Sequence, residues 1–210
     1  MNRQFLLAAR PHGMVKRSDF KLVKKPTNAI EDDSCLVKVQ CMGLEPAMRG
    51  WMENRADYIA PLELGDLMRG FGAGEVIESK STNFPVGTRV TGSFGWQEYF
   101  LHRSDDAPLQ IIPDGVSLDE ALGVFGLTGM TAWFGVNEIG KPKSGDVFVV
   151  SSAAGATGSI AGQLARAMGC RVVGITSTDE KCQWLTDSIG FNAAINYTHQ
   201  DWPQRLKKAC

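Results

Sequence analysis

The spacing of apolar and polar positions changes part-way along the chain. Up to residue 115, short apolar runs are interrupted by glycines and prolines, a pattern typical of antiparallel strands and not of a helix bundle. Residues 35–42 alternate apolar and polar side chains, which predicts a half-buried strand, and residues 71–78 and 96–101 predict strands in the same way. The first part of the chain is therefore predicted to be β-rich.

The pattern changes after the turn Pro113-Asp114-Gly115. Ser117 has the side chain of a helix cap, and Glu120 three residues later completes a capping box. We therefore predict two domains, at residues 1–115 and 116–210.

From Gly145 onward the chain predicts alternating strands and helices. The predicted elements are, in order, a strand at 147–151, a helix at 157–168, a strand at 171–176, a helix at 179–189 and a short strand at 193–196. In the first of these helices Ile160, Leu164 and Met168 recur every four residues, and Gly169 is a suitable stop. Because alternating strands and helices form parallel sheets, the predicted fold class is α/β.

Charge and composition exclude several classes of partner. The 22 basic and 23 acidic residues give a net charge of -1 and are scattered, so no basic field attracts nucleic acid or an anionic membrane. The apolar run at residues 5–9 is too short for a signal peptide, and no run reaches the length of a membrane span. We expect a cytoplasmic protein that acts on a small molecule, with no nucleic-acid or membrane partner.

Cysteine and histidine spacing predicts no metal site. The 5 cysteines are odd in number and include no CxxC pair, which argues against a disulfide framework and a cysteine zinc site. His12, His102 and His199 are far apart and are interpreted as ordinary surface or loop histidines.

A glycine turn lies between the strand at 147–151 and the following helix. Residues 153–158, Ala-Ala-Gly-Ala-Thr-Gly, match the dinucleotide pattern G-x-G-x-x-G with alanine in the first place. Gly155 would let the backbone approach a pyrophosphate, and Gly158 would let helix and strand pack closely. The amides of Ala156 and Thr157 would face the anion. The alternative is a turn of small residues that serves packing alone.

The end of the second strand distinguishes between nicotinamide cofactors. NAD sites place an acid there to bind the ribose hydroxyls, whereas this chain has Thr176 and Ser177. Lys181 follows within a helical turn, where its ammonium could meet a 2′-phosphate, so NADPH is favoured. The alternative for Lys181 is a solvated helix lysine. Glu180 is interpreted as the capping-box partner of Ser177, and Asp179 as a helix-initiating acid.

Six segments together resemble one enzyme superfamily. They are residues 45–52 (Glu-Pro-Ala-Met-Arg-Gly-Trp-Met), 64–70, 95–99, 129–135, 152–158 and 179–181. The chain resembles the zinc-free branch of the medium-chain dehydrogenase/reductase superfamily, which contains curcumin reductases, prostaglandin and leukotriene reductases and plant alkenal double-bond reductases. The resemblance implies a GroES-like β-rich domain followed by a Rossmann parallel sheet. Where zinc-dependent relatives carry Gly-His-Glu, residues 69–75 supply no zinc ligands, so no metal is expected.

The resemblance also implies a set of site residues. At the NADP(H) site it implies Thr131, Gly155, Ala156, Thr157, Lys181 and Tyr197, with Lys181 and Tyr197 near the 2′-phosphate. The glycine turn and the end of the second strand add Gly158, Thr176 and Ser177 to the residues expected there. Those expected at the substrate cleft are Met48, Arg49 and Trp96. Relatives often carry an aromatic residue where Ala47 stands, and Trp51 and Trp96 are interpreted either as replacements for it or as core residues.

The implied reaction moves hydride from the nicotinamide to the β-carbon of an α,β-unsaturated ketone or aldehyde, after which the α-carbon is protonated. The proton donor is expected in a C-terminal portion beyond this chain, so the catalytic residues are unknown. Two complete domains need roughly 300 residues, which predicts a truncated chain of weak activity. The strand at 193–196 is expected to be an edge that missing strands or a partner chain would cover.

Three functions stay open at this stage. They are reduction of enones, reduction of quinones by NADPH, and binding without turnover by an inactive nucleotide-binding or interaction fragment. The resemblance also suggests a homodimer.

Overall fold

The computed structural model describes residues 1–27, 29–55 and 59–210. It divides into two compact units, Met1–Leu122 and Gly123–Cys210. The helix that follows Ser117 packs on two strands of the first unit. A domain boundary after residue 115 stays a prediction, because compact units need not coincide with domains.

The first unit is built from antiparallel strands. Its elements are β1 (Asn2–Leu7), a 3₁₀ turn (Arg17–Asp19), β2 (Phe20–Lys25), β3 (Cys35–Met42), α1 (Ala47–Trp51), β4 (Gly72–Ser79), β5 (Arg89–Gly92), β6 (Tyr99–His102), β7 (Gln110–Ile111) and α2 (Leu118–Leu122). β1 pairs with β2, and the other strands form one sheet in the order β6-β3-β4-β5-β7. The prediction of a β-rich first part is confirmed.

The predicted strand at 96–101 is shifted toward its C-terminus. Trp96 accepts a backbone hydrogen bond from Phe5 and donates one to Met68, so it joins β1 to the segment before β4. The strand itself begins at Tyr99. The alternation of apolar and polar residues could not distinguish the local backbone pairing of Trp96 from the regular strand pairing that begins at Tyr99.

The capping box before α2 is confirmed. The Ser117 amide donates to Glu120 Oε2 at 2.9 Å, and the Glu120 amide donates to Ser117 Oγ at 3.4 Å.

His102 is not the surface or loop residue that the sequence predicted. It ends β6 with only 5% of its surface exposed, and its ring packs edge-on against Phe84 with 5.4 Å between centroids. The strand alternation turns it inward, opposite Cys35 on β3. His12 lies exposed, as expected.

The second unit contains a three-stranded parallel sheet with helices packed against it. Its elements are α3 (Leu127–Phe134), a π-helical turn (Gly135–Gly140), β8 (Val147–Val150), α4 (Ala156–Ala167), β9 (Arg171–Thr176), α5 (Asp179–Asp187), β10 (Ala193–Asn196) and α6 (Trp202–Ala209). The strand order is β10-β9-β8, and both pairings are parallel. The predicted strand–helix alternation and the α/β fold class are confirmed, and Gly169 ends α4 with a φ of 86°.

β9 lies at the centre of this sheet, so the described residues leave two edges. β10 is one edge, as expected, but its Ile195 is buried. β8 is the other, and its Val147 and Val149 are 39% and 42% exposed. In doubly wound sheets further strands add beside the first strand. That missing strands or a partner chain would cover residues 193–196 stays a prediction, and the more exposed apolar side chains lie on β8.

Among the described residues, no helix has the length and apolar character needed to cross a membrane.

Candidate functional site

The turn between β8 and α4 is compact and almost without side chains. Ser152 adopts a left-handed conformation with φ 49°, and Ala153 beneath it is fully buried. The Gly155 amide donates to Ser152 O at 2.8 Å, which closes the turn, and Gly155 is the N-cap of α4. Within the described residues no side chain caps this helix. The amides of Ala156 and Thr157, at its first turn, are therefore the groups that an anion would meet.

Gly158 lies where α4 comes nearest to this turn. A Cβ built on it would overlap Ser152 O and would lie 3.0 Å from the Ala153 Cα. A Cβ on Gly155 would lie 3.1 Å from the same oxygen. The close approach of helix and strand end therefore depends on glycine at position 158.

The C-terminal end of β9 brings four of the predicted cofactor residues together. Thr176 is buried, and its carbonyl accepts a hydrogen bond of 3.0 Å from the Tyr197 amide, which follows β10. The Tyr197 side chain is 51% exposed. Lys181 Nζ lies 3.4 Å from Ser177 Oγ and forms no ion pair among the described residues. The parallel register explains this meeting, because it places the ends of adjacent strands side by side.

The cap of α5 is not the one that the sequence predicted. Thr178 is the N-cap, and its Oγ1 accepts a 3.2 Å hydrogen bond from the Lys181 amide. The helix begins at Asp179, so Ser177 lies one position too early to cap it. Ser177 is thereby left to contact the Lys181 side chain.

Asp179 does more than initiate α5. Its carboxylate accepts a 2.9 Å hydrogen bond from Asn196 Nδ2 and lies 3.1 Å from His199 Nε2. The Asn196 hydrogen bond, followed by the His199 contact, holds the pKa of Asp179 below its ordinary value, so the carboxylate stays charged. Sequence reasoning missed Asn196, although its place at the end of the strand beside β9 was a signal that could have found it.

Thr131, the remaining predicted cofactor residue, lies on α3, which packs against α4. Its hydroxyl donates to Leu127 O at 2.7 Å, so it is engaged within its own helix.

The three predicted substrate-cleft residues line one apolar cleft of the first unit. The cleft has a volume of about 360 Å³ and is bordered by Met48, Arg49 and Trp96 together with Val15, Phe20, Leu44, Glu45, Pro46, Met52 and Met68. Trp96 stacks on Phe20 with 5.3 Å between ring centroids. Arg49 is held in place by Glu53 at 2.9 Å and by Pro11 O at 3.1 Å. Its guanidinium therefore joins α1 to the backbone at Pro11 beside the cleft.

Trp51 is a core residue of the first unit. It is buried together with Leu7, Leu62 and Met68, and Ala47 packs against the same cluster. Of the two interpretations of Trp51, the structure favours core packing.

The described residues contain no group of three or more histidine, cysteine, aspartate or glutamate side chains placed to hold a metal ion. All five cysteines are free thiols.

Two family models match the chain. The model described as N-terminal domain of oxidoreductase matches residues 3–111, about half of the chain, and the model described as zinc-binding dehydrogenase matches residues 156–210.

Known proteins resemble the chain along its whole length. It is 35% identical over 210 residues to the NADPH-dependent curcumin reductase of Escherichia coli, covering 100% of this chain and 60% of that protein. It is 33% identical over 213 residues to the NADP(+)-dependent 2-alkenal reductase of Nicotiana tabacum, covering 99% and 62%. The crystal structure of CurA from Vibrio vulnificus in complex with NADPH matches with a TM-score of 0.91 and 36% identity, covering 99% and 61%. The chain thus spans about 60% of the length of these relatives.

Proposed function

We propose a function for the chain from the premise that it belongs to the zinc-independent branch of the medium-chain dehydrogenase/reductase superfamily, with the curcumin, prostaglandin and alkenal reductases. The proposed function is the NADPH-dependent reduction of the C=C bond of an α,β-unsaturated ketone or aldehyde. The substrate is a small molecule, and the proposed assembly is a homodimer.

The observation that carries the proposal is the side-chain arrangement at the end of β9. The Lys181 ammonium, without an ion pair among the described residues, lies beside Ser177 Oγ, while the nearby Asp179 carboxylate is bonded to Asn196. An acid directed at the ribose would select NADH, whereas a lysine and a hydroxyl suit a 2′-phosphate. This arrangement supports NADPH as the cofactor.

The glycine turn fits the pyrophosphate of the same cofactor. Gly155 places no Cβ at the N-cap of α4, and Gly158 lets the first turn of α4 approach the backbone of Ser152 and Ala153 closely. The uncapped N-terminus of α4 supplies amide donors and the positive end of the helix dipole. These residues would hold and orient the adenosine and pyrophosphate parts of the cofactor.

When bound, NADPH supplies the hydride, and the protein supplies position and a dry surface. The apolar cleft beside Met48 and Trp96 suits the apolar body of a conjugated carbonyl compound. The names of the curcumin and 2-alkenal reductases support this substrate class for the present chain.

The test of turnover is NADPH oxidation by the protein. A conjugated aldehyde and a quinone are supplied in separate assays. Enone-dependent oxidation supports the proposal, and quinone-dependent oxidation alone replaces it with a quinone reductase. If neither substrate supports NADPH oxidation, the proposal of a reductase is rejected.

Lys181→Ala is expected to weaken binding of 2′,5′-ADP about tenfold while leaving binding of 5′-AMP almost unchanged, because one charge-assisted contact to the 2′-phosphate is lost. Isothermal titration of the chain with each nucleotide measures the effect. Lys207→Ala removes an equal charge from α6 and is the matched control. Equal weakening for both nucleotides would remove Lys181 from the phosphate site.

A further inference from the structure

A buried asparagine joins the N-terminus of α5 to the end of β10. Only 5% of Asn196 is exposed, and its Nδ2 donates to Asp179 Oδ1 at 2.9 Å. Its Oδ1 accepts from the Thr198 amide at 3.0 Å and from Thr198 Oγ1 at 2.7 Å. Both ends of the Asn196 amide are therefore engaged, which fixes the direction in which it donates.

We propose that Asn196 is a positioning residue that sets the nucleotide preference by holding the Asp179 carboxylate away from the ribose side of the site. This inference rests on the proposed NADPH function and deepens it. Asn196 acts through Asp179 and does not itself touch the cofactor.

Asp179 is the residue that makes such restraint necessary. It stands three positions after Thr176, close to where NAD-dependent enzymes place the acid that binds the ribose hydroxyls. A carboxylate turned toward that place would attract the hydroxyls of NADH and would repel the 2′-phosphate of NADPH. In the structure it is turned toward β10.

His199 is the second contact of this carboxylate, at 3.1 Å, but its side chain is 40% exposed. The Asp179 side chain is itself 68% exposed, so water and salt weaken both contacts. The Asn196 amide is nevertheless fixed by its two hydrogen bonds from Thr198, and it is therefore the contact that directs the Asp179 carboxylate.

The decisive quantity is the preference ratio, the dissociation constant of 5′-AMP divided by that of 2′,5′-ADP, because these ligands differ only in the 2′-phosphate. Asn196→Ala frees the carboxylate and is expected to lower the ratio about fivefold or more. Titration calorimetry on the full 210-residue chain measures both constants, and circular dichroism verifies that each variant is folded.

Asn192→Ala is the matched control. Asn192 Oδ1 accepts a 2.7 Å hydrogen bond from the Val172 amide, so this asparagine also supports the sheet but lies before β10. We expect the variant to lose stability and to keep the ratio within about twofold.

Asp179→Ala distinguishes two explanations of an effect at Asn196, namely that Asn196 directs the Asp179 carboxylate or that it only makes the site more rigid. Without the carboxylate there is nothing to restrain, so the ratio should stay at least as high as in the wild type, both alone and combined with Asn196→Ala. Because Thr178 caps α5, this change leaves the cap in place.

Three results would overturn the inference. The first is a preference ratio that is unchanged in folded Asn196→Ala. The second is a ratio that falls as far in Asp179→Ala as in Asn196→Ala. The third is a double variant whose ratio is as low as that of Asn196→Ala. These results concern the variants alone, so a wild-type chain that prefers 2′,5′-ADP would still support the proposed NADPH function. A wild-type chain without that preference would instead reject the proposed NADPH function, and this inference with it.

Discussion

Gly158→Ala is expected to lower the free energy of unfolding by about 2–3 kcal/mol and to abolish measurable binding of 2′,5′-ADP. The new Cβ would overlap Ser152 O and would lie 2.9 Å from Ser152 C. These are backbone atoms of a turn that already holds Ser152 at a positive φ, so no flexible side chain can move aside. Urea unfolding followed by circular dichroism measures the first effect, and titration calorimetry measures the second.

Gly135→Ala is the control for this change. Gly135 has a helical φ of -59°, and a Cβ built on it meets no atom within 4 Å. Alanine there is expected to be neutral or to stabilise by up to about 1 kcal/mol, because it restricts the unfolded chain. A Gly158→Ala variant as stable as Gly135→Ala would show that the turn relaxes freely, and that glycine at 158 is not required for the close approach.

The strand–helix alternation of the second unit could be predicted because its signals are local. Periodicity, the glycine turn and Gly169 each act within a few residues of the element that they define. The same locality explains the errors. Placing the cap on Ser177 instead of Thr178 is a slip of one residue, and strand and helix ends are where sequence signals are weakest.

The direction of the Asp179 side chain could not be predicted, because it depends on a residue 17 positions away. Only the register between β9 and β10 places Asn196 beside the start of α5. His102 shows the same limit, since its burial follows from the pairing of β6 with β3 and from the ring of Phe84. Sequence analysis interpreted Asp179 only as a helix-initiating acid, and the tertiary hydrogen bonds decide what its carboxylate faces.

Phe191→Ala is expected to lower the free energy of unfolding of the second unit by about 3–5 kcal/mol, the larger of the two stability effects. The ring lies between α4 and β9. A Cβ built on Gly162 would lie 2.7 Å from Phe191 Cε1, and one built on Gly174 would lie 3.0 Å from its Cδ2. Both glycines therefore leave space that the ring fills, and its removal opens a cavity in the core cluster with Leu185 and Val172.

A double-mutant cycle shows whether the ring fills the space left by Gly162. Gly162→Ala alone should be strongly destabilising, whereas in the Phe191→Ala background the same methyl enters the cavity and should cost less than about 1 kcal/mol. Trp184→Ala removes an aromatic ring that is 41% exposed on α5, and it is expected to cost less than about 1 kcal/mol. Additive losses in the cycle, or equal losses for Phe191→Ala and Trp184→Ala, would show that Phe191 does not fix the spacing of α4 and β9. If the coupling is found, the position of α4 over the sheet, and with it the position of the glycine turn, depends on this one ring.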